Sequence, residues 1–159
     1  MGFNPSSAGG LMGIDFLAMP GTATVGDALA AVRRSGAVPP EALSNVHAVD
    51  DDGRLLGTAR VVTLLQSEAA GRLADVCDGN PVRIGPGTDV TDVAVLMTDY
   101  NLTTIPVVDD QGRMIGLITV DDVLEVTLPD DWRRREAAVP PDPYRGDQGG
   151  PRQGRHVTR

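Results

Sequence analysis

The sequence predicts an α+β fold made of two copies of one small βαββα unit. Two observations carry that prediction: an internal duplication, and apolar spacings that switch between the helical and the strand period inside each copy. The duplication is direct. Val46-His47-Ala48-Val49-Asp50-Asp51-Asp52-Gly53-Arg54-Leu55-Leu56-Gly57 returns 59 positions later as Ile105-Pro106-Val107-Val108-Asp109-Asp110-Gln111-Gly112-Arg113-Met114-Ile115-Gly116. Six of the twelve positions are identical, and four more exchange one apolar residue for another. Upstream, Pro20-Gly21-Thr22 returns as Pro86-Gly87-Thr88. A period near 60 with only two copies is not a solenoid.

Each copy carries the same order of elements. A short strand opens it, at residues 15–18 and again at 81–84. A helix follows, with Val25, Ala28, Leu29 and Val32 in the first copy and Val93, Leu96, Met97 and Tyr100 in the second, all at i, i+3, i+4, i+7. Capping-box spacings, Thr24-x-x-Asp27 and Asp89-x-x-Asp92, mark the helix starts. Two apolar strands then flank an Asp-Asp-x-Gly-Arg turn, which reads as a hairpin. A second helix closes each unit, at about residues 61–69 and 120–126, the latter with a Thr119-x-x-Asp122 box. One unit of about 50 residues is marginal alone, so the two are expected to pack sheet to sheet around a shared core.

These elements divide the chain into a flexible terminus (1–8), repeat 1 (9–70), a linker (71–80), repeat 2 with a C-terminal extension (81–138) and a tail (139–159). The tail is rich in Pro, Gly, Gln and Arg and has too little apolar surface to offset its ordering entropy, so it is expected to be disordered.

Composition narrows the function. The chain is 41% apolar but only 3% aromatic, so its core must be aliphatic. No apolar run is long enough to span a bilayer, and no secretory signal is evident, which predicts a cytoplasmic protein without membrane insertion. All 14 basic residues are Arg, and the net charge is −8. Ten acids and one base, Arg113, lie between Asp89 and Asp131. Such a surface repels nucleic acid and attracts cations. Cys77 stands alone, as expected of a small buried hydrophobe. His47 reads as structural, because no second metal-type ligand lies near it in sequence, and His156 falls in the tail. Asp50-Asp51-Asp52-Gly53 mimics an EF-hand start, but Val61 occupies the twelfth position, so it reads as a turn. Trp132-Arg133-Arg134-Arg135 reads as a solvated helix end. No Ser/His/Asp or Cys/His set is evident, so no enzyme is expected.

The duplicated order, together with Ile105-Pro106-Val107-Val108-Asp109, Gly112-Arg113 and Gly116-Leu117-Ile118-Thr119-Val120-Asp121-Asp122-Val123-Leu124, resembles a tandem CBS domain pair, or Bateman module, over roughly residues 8–128. The resemblance implies two βαββα repeats related by a pseudo-twofold axis, and a homodimer. A narrower resemblance, to the cytosolic CBS region of MgtE-type magnesium transporters, rests on Ala8-Gly9-Gly10-Leu11-Met12, on Pro39-Pro40-Glu41, and on Leu96-Met97-Thr98-Asp99-Tyr100-Asn101. The chain contains no pore of such a transporter, which makes it a relative or a fragment with a sensor role, acting on a membrane magnesium transporter or another effector.

Two ligand sets follow from the resemblance. CBS pairs commonly bind adenine nucleotides (AMP, ADP or ATP), which implies a site at Thr119, Asp122, Leu102 and Pro106. A carboxylate suits ribose hydroxyls, and a helix start suits phosphate. Repeat 1 departs from that signature, with Arg60 at the Thr position and Thr63 at the Asp position. Leu102 stands where the MgtE-type pattern carries an aromatic residue, which predicts weak ATP binding. The second set, for Mg²⁺, is Asp89, Asp122, Glu125 and Asn101, with Asn101 in place of an Asp; hard oxygen ligands suit this ion. Helix capping by Thr119, Asp122 and Asp89 is a competing role for the same side chains. A ligand-free dimerisation module, and a nucleotide sensor for an unrelated enzyme, are the alternative functions.

Overall fold

The structure, a computed structural model, describes residues 2–134. The whole tail, with His156, and the end of the Arg133-Arg134-Arg135 run lie outside the described residues. Met1–Thr127 forms one compact unit. A short helix, α1 (Ala8–Leu11), precedes repeat 1. Repeat 1 runs β1 (Ala18–Pro20), α2 (Val25–Arg34), a 3₁₀ turn (Pro40–Ser44), β2 (Asn45–Val49), β3 (Leu55–Arg60) and α3 (Val61–Leu65). Another short helix, α4 (Leu73–Val76), precedes repeat 2, which runs α5 (Val90–Asp99), β4 (Thr104–Val108), β5 (Met114–Thr119) and α6 (Val120–Thr127). Beyond that unit, Asp130–Arg134 forms α7.

Both hairpins form as the repeat predicts. β2 pairs antiparallel with β3, and β4 with β5, each with a register shift at equivalent places, Ala48/Val49 and Val107/Val108. The turn chemistry is the same twice. One oxygen of Asp50 accepts from the backbone N–H groups of Asp52 and Arg54, and Asp109 does the same for Gln111 and Arg113, all at 2.9 Å. Gly53 (φ 83°) and Gly112 (φ 79°) occupy the left-handed region that a Cβ would disfavour. The Asp50 loop is therefore a hairpin turn.

The opening strands differ from expectation. β1 lies three residues later than the predicted 15–18, pairing parallel with β2. In repeat 2 the predicted strand at 81–84 shrinks to one parallel bridge, Ile84 with Val107. Pro81 has no N–H, and Gly85-Pro86-Gly87 follows at once, which leaves room for a single rung. α3 stops at Leu65, short of the predicted 69, where the Ser67 hydroxyl turns back to donate to the Thr63 carbonyl at 2.6 Å. Tyr100, expected on the buried face of its helix, is exposed at the helix end.

The repeats do not share one core. Val93, Met97, Ile105, Val107, Ile118 and Val123 form one aliphatic cluster, and Val25, Ala28, Val46, Ala48, Ala59 and Leu64 form another. What joins them is an exchange of lead-in segments. α1, which precedes repeat 1, packs on repeat 2. Ala8 is fully buried in the repeat 2 cluster, Ala8 N–H donates to the Thr88 carbonyl, and Gly13 and Leu117 exchange both backbone hydrogen bonds at 2.9 Å. α4, which precedes repeat 2, packs on repeat 1. Leu73 is fully buried in that cluster, and Thr58 and Asp78 exchange the equivalent pair at 3.1 and 2.9 Å. Residues 6–8, read from the sequence as part of a flexible terminus, are thus tied down, and the segment read as a linker carries a packed helix. The hairpin turns are also joined, because Leu55 N–H donates to the Gly112 carbonyl and Met114 N–H to the Gly53 carbonyl, both at 3.0 Å. Asn45 Nδ2 donates to Thr104 Oγ1 at 2.8 Å, and the two residues are 59 apart, one repeat apart. Reciprocal bonds between equivalent residues are what a pseudo-twofold axis requires.

The exchange explains the paired glycines in β3 and β5. A Cβ on Gly57 would lie 2.7 Å from both the Asp78 carbonyl oxygen and Cys77 Cβ, and one on Gly116 would collide with the Met12 side chain. Gly116→Ala is expected to cost about 1–3 kcal/mol by overpacking. Met12→Ala should recover part of that loss, whereas Cys77→Ala should recover little for Gly57→Ala, because it keeps both close neighbours, the Asp78 carbonyl and the Cβ of residue 77. Denaturant melts of the single and double variants check this, and additive costs for the Met12/Gly116 pair would refute the contact.

Candidate functional site

A cleft of about 220 Å³ opens between the repeats. α1 and the residues after it supply Leu11, Met12, Gly13 and Asp15; the 3₁₀ turn region supplies Pro39, Glu41 and Ala42; the β5–α6 junction supplies Leu117, Thr119, Asp121 and Asp122. Thr119 and Asp122 form a complete capping box. Thr119 N–H donates to Asp122 Oδ2 at 3.1 Å, and Asp122 N–H donates to Thr119 Oγ1 at 3.3 Å. The capping role is therefore real, and both residues still face the cleft half-buried. Asp122 Oδ1 accepts no hydrogen bond from the described residues, so the box leaves one oxygen for a ligand.

The other members of the two predicted sets lie elsewhere. Leu102 and Asn101 line a second groove, of about 310 Å³, between α5 and α6. Pro106 is buried in β4, opposite Leu117. None of the three lines the cleft that holds Thr119 and Asp122. Asn101 has a clear backbone task. With φ 52° it is the left-handed residue that ends α5, and Leu102 N–H reaches back to the Met97 carbonyl at 2.9 Å. This is a Schellman stop, for which Asn is a natural substitute for Gly. Asp89 caps α5 by accepting from Thr91 N–H at 2.8 Å, and the expected reciprocal bond, from Asp89 N–H to the Asp92 carboxylate, is absent among the described residues. Glu125 is exposed on α6. Among the described residues no group of three or more His, Cys, Asp or Glu is placed to hold a metal ion, so Asp89, Asp122, Glu125 and Asn101 do not meet within one chain. Three cleft carboxylates, Asp15, Glu41 and Asp121, are absent from the predicted sets; for Asp15 and Glu41 nothing local announces that two segments over twenty residues apart share a wall.

Residues 73–128 match the family model of the CBS domain. The chain is 37% identical over 124 residues to the magnesium transporter MgtE of Thermus thermophilus, covering 78% of this chain and 27% of that one. Its fold superposes with a TM-score of 0.75 on the crystal structure of the cytosolic domain of the Mg²⁺ channel MgtE in complex with ATP, at 35% identity, covering 78% of this chain and 50% of that one. Residues 73–128 are a CBS domain, and the chain resembles a tandem CBS pair in the order of its elements and in fold. It resembles the cytosolic CBS region of MgtE, and it spans about a quarter of the length of the curated MgtE relative. At the level of fold alone, it also superposes on a CBS pair solved with 5′-methylthioadenosine and S-adenosyl-L-methionine (TM-score 0.64, 18% identity, covering 76% of this chain and 94% of that one). Among the described residues no helix of the CBS pair is long and apolar enough to cross a membrane.

Away from the cleft, His47 is fully buried on β2, its Nδ1 3.1 Å from Thr58 Oγ1 and its ring edge-on to Phe16, while Nε2 has no partner among the described residues. Burial pushes its pKa down to about 4. Cys77 is half-buried against the repeat 1 core, and burial, aided by the Asp78 charge, pushes its thiol up to about 11, so it is a poor nucleophile.

Two predictions follow from these placements. Between pH 6.5 and 4 the unfolded chain binds the His47 proton and the folded chain does not, so stability falls as pH drops through this window, by roughly 3 kcal/mol in all. His47→Leu should flatten that part of the pH–stability profile, and an unchanged slope would refute the assignment. Asn101→Gly should be neutral or mildly stabilising and Asn101→Val should cost about 1–2 kcal/mol, as read in thermal melts.

Proposed function

We propose that this CBS pair is a non-catalytic regulatory sensor that binds an adenine nucleotide or Mg²⁺ and passes the occupancy to an effector, with a magnesium transporter on the cytosolic side of a membrane as the leading partner. The observation that carries this reading is the cleft itself. It is walled by both repeats and by an exchanged lead-in, so a ligand there bears on three elements at once. Support comes from the relative whose cytosolic domain was solved with ATP.

Within the cleft, Asp122 Oδ1 is the acceptor for a ribose hydroxyl, and the Thr119 hydroxyl sits at the start of α6. Mg²⁺ would be held differently. The separation of Asp89, Asp122 and Glu125 within one chain means that a metal site needs carboxylates from facing copies. Mg²⁺ there would relieve like-charge repulsion of roughly 1 kcal/mol or more per close pair.

A second reading, a ligand-free dimerisation module, is favoured by the α5–α6 groove. Val95, Leu124 and Val126 beside it are each about half exposed, an apolar surface unusual for a lone domain. We assign this face to a homodimer, which both readings share.

Mg²⁺ at ten times its dissociation constant should stabilise the folded chain by about 1.4 kcal/mol, a rise on the order of 3–6 °C. NaCl at matched ionic strength is the control for screening. Asp122→Asn should reduce the Mg²⁺ response. Equal shifts with MgCl₂ and NaCl would refute Mg²⁺ sensing and move the dimerisation module ahead of it. Sedimentation at tens of micromolar should show a dimer that Leu124→Glu dissociates, and a wild-type monomer would remove the shared premise.

A further inference from the structure

We infer that the cleft at the β5–α6 junction selects adenosyl ligands whose 5′ substituent is neutral or cationic, and rejects those carrying several phosphates. The inference rests on the reading of this cleft as the adenosyl site. It narrows the ligand class through the charges that wall the cavity. Four carboxylates line it: Asp15 from the segment after α1, Glu41 from the 3₁₀ turn, and Asp121 and Asp122 from α6. Among the described residues no Arg lines it, and none of the four carboxylates is within ion-pair distance of an Arg. The ion pairs among the described residues all belong to the two hairpin turns, Arg54 with Asp50 and Asp52, and Arg113 with Asp109.

A phosphate-binding cleft ordinarily combines a helix start with a cation or a run of free backbone N–H groups. Here the α6 start is already occupied. The Asp122 N–H is taken by Thr119 Oγ1, and the acidic pair Asp121 and Asp122 stands in the first turn, where it answers the helix dipole itself. The remaining attractions are those an adenosine moiety can use: the free Oδ1 of Asp122 for a ribose hydroxyl, and the apolar wall of Leu11, Met12 and Leu117 for a base. A cationic group beyond the ribose would meet carboxylates, and a polyphosphate would meet the same carboxylates with the wrong sign.

The test is calorimetry on the full chain, in buffer with a chelator to remove divalent ions, using four ligands graded by charge: S-adenosyl-L-methionine, 5′-methylthioadenosine, AMP and ATP. Affinity should fall along that series, with ATP at least ~10-fold weaker than 5′-methylthioadenosine, the loss expected from one or two like-charge contacts in a half-solvated site. The triple substitution Asp15→Asn, Glu41→Gln, Asp121→Asn should close most of that gap by strengthening ATP and weakening S-adenosyl-L-methionine, while leaving 5′-methylthioadenosine within a few-fold. Circular dichroism of the same variant establishes that it folds. ATP binding as tightly as 5′-methylthioadenosine in the wild-type chain would overturn the charge selection and leave the adenosyl site standing. If none of the four ligands binds, or if all bind with affinity indifferent to Asp122→Ala, the cleft reading falls and the selection falls with it.

Discussion

The structure depends on one constraint: neither repeat is complete without the segment that precedes the other. α1 fills the face of repeat 2 and α4 fills the face of repeat 1, each through a reciprocal backbone pair and a buried aliphatic side chain. A unit of this size buries too little apolar surface to stand alone. A larger single core would have been one solution. Here two small clusters persist, and the chain couples them by lending each a strand-like edge and a helical turn from the far side. The paired glycines at 57 and 116 are the local mark of this exchange, because the lending segment passes where a Cβ would stand.

The exchange also sets what the sequence could and could not show. The hairpins were legible because every determinant is local: Asp at the turn start, Gly with positive φ, and apolar residues at period two on either side. α2 and α5 were legible from their spacing and caps. The lead-in helices were not. Ala8-Gly9-Gly10-Leu11 is four residues long and half glycine, which argues against a helix on propensity alone. It is helical because tertiary packing fixes it, and its partners lie about eighty to over a hundred residues away. The same blindness hid Asp15 and Glu41 from the site. They join Thr119 and Asp122 only because the exchange brings α1 against β5.

Local bonding also gives structural tasks to residues that family likeness assigns to ligands. Asn101 and Asp89 each sit at a helix terminus with a hydrogen-bonding pattern of their own. Likeness to a family transfers a residue's position, and the structure determines which of its atoms are still unspent. By that measure Asp89 has one oxygen committed to Thr91 and stands exposed, whereas Asn101 serves through its backbone conformation, which a metal-binding role would not require.

In Asp122 the cap and the proposed ligand contact would use different oxygens of one carboxylate. The Thr119 box fixes the carboxylate through Oδ2, so its rotamer is set before any ligand arrives. A ligand that uses Oδ1 then meets a preorganised acceptor and is spared the ordering cost of a free side chain, about 0.5–1.5 kcal/mol. The cleft wall opposite is α1, whose seat on Gly116 leaves no slack for a shift at Met12. A ligand wedged between Asp122 and Met12 must therefore either fit the existing gap or displace α1, and displacing α1 strips repeat 2 of its borrowed edge. Occupancy of the cleft is in this way tied to the contact that completes the fold, and a small site between two marginal repeats can govern how firmly they hold together.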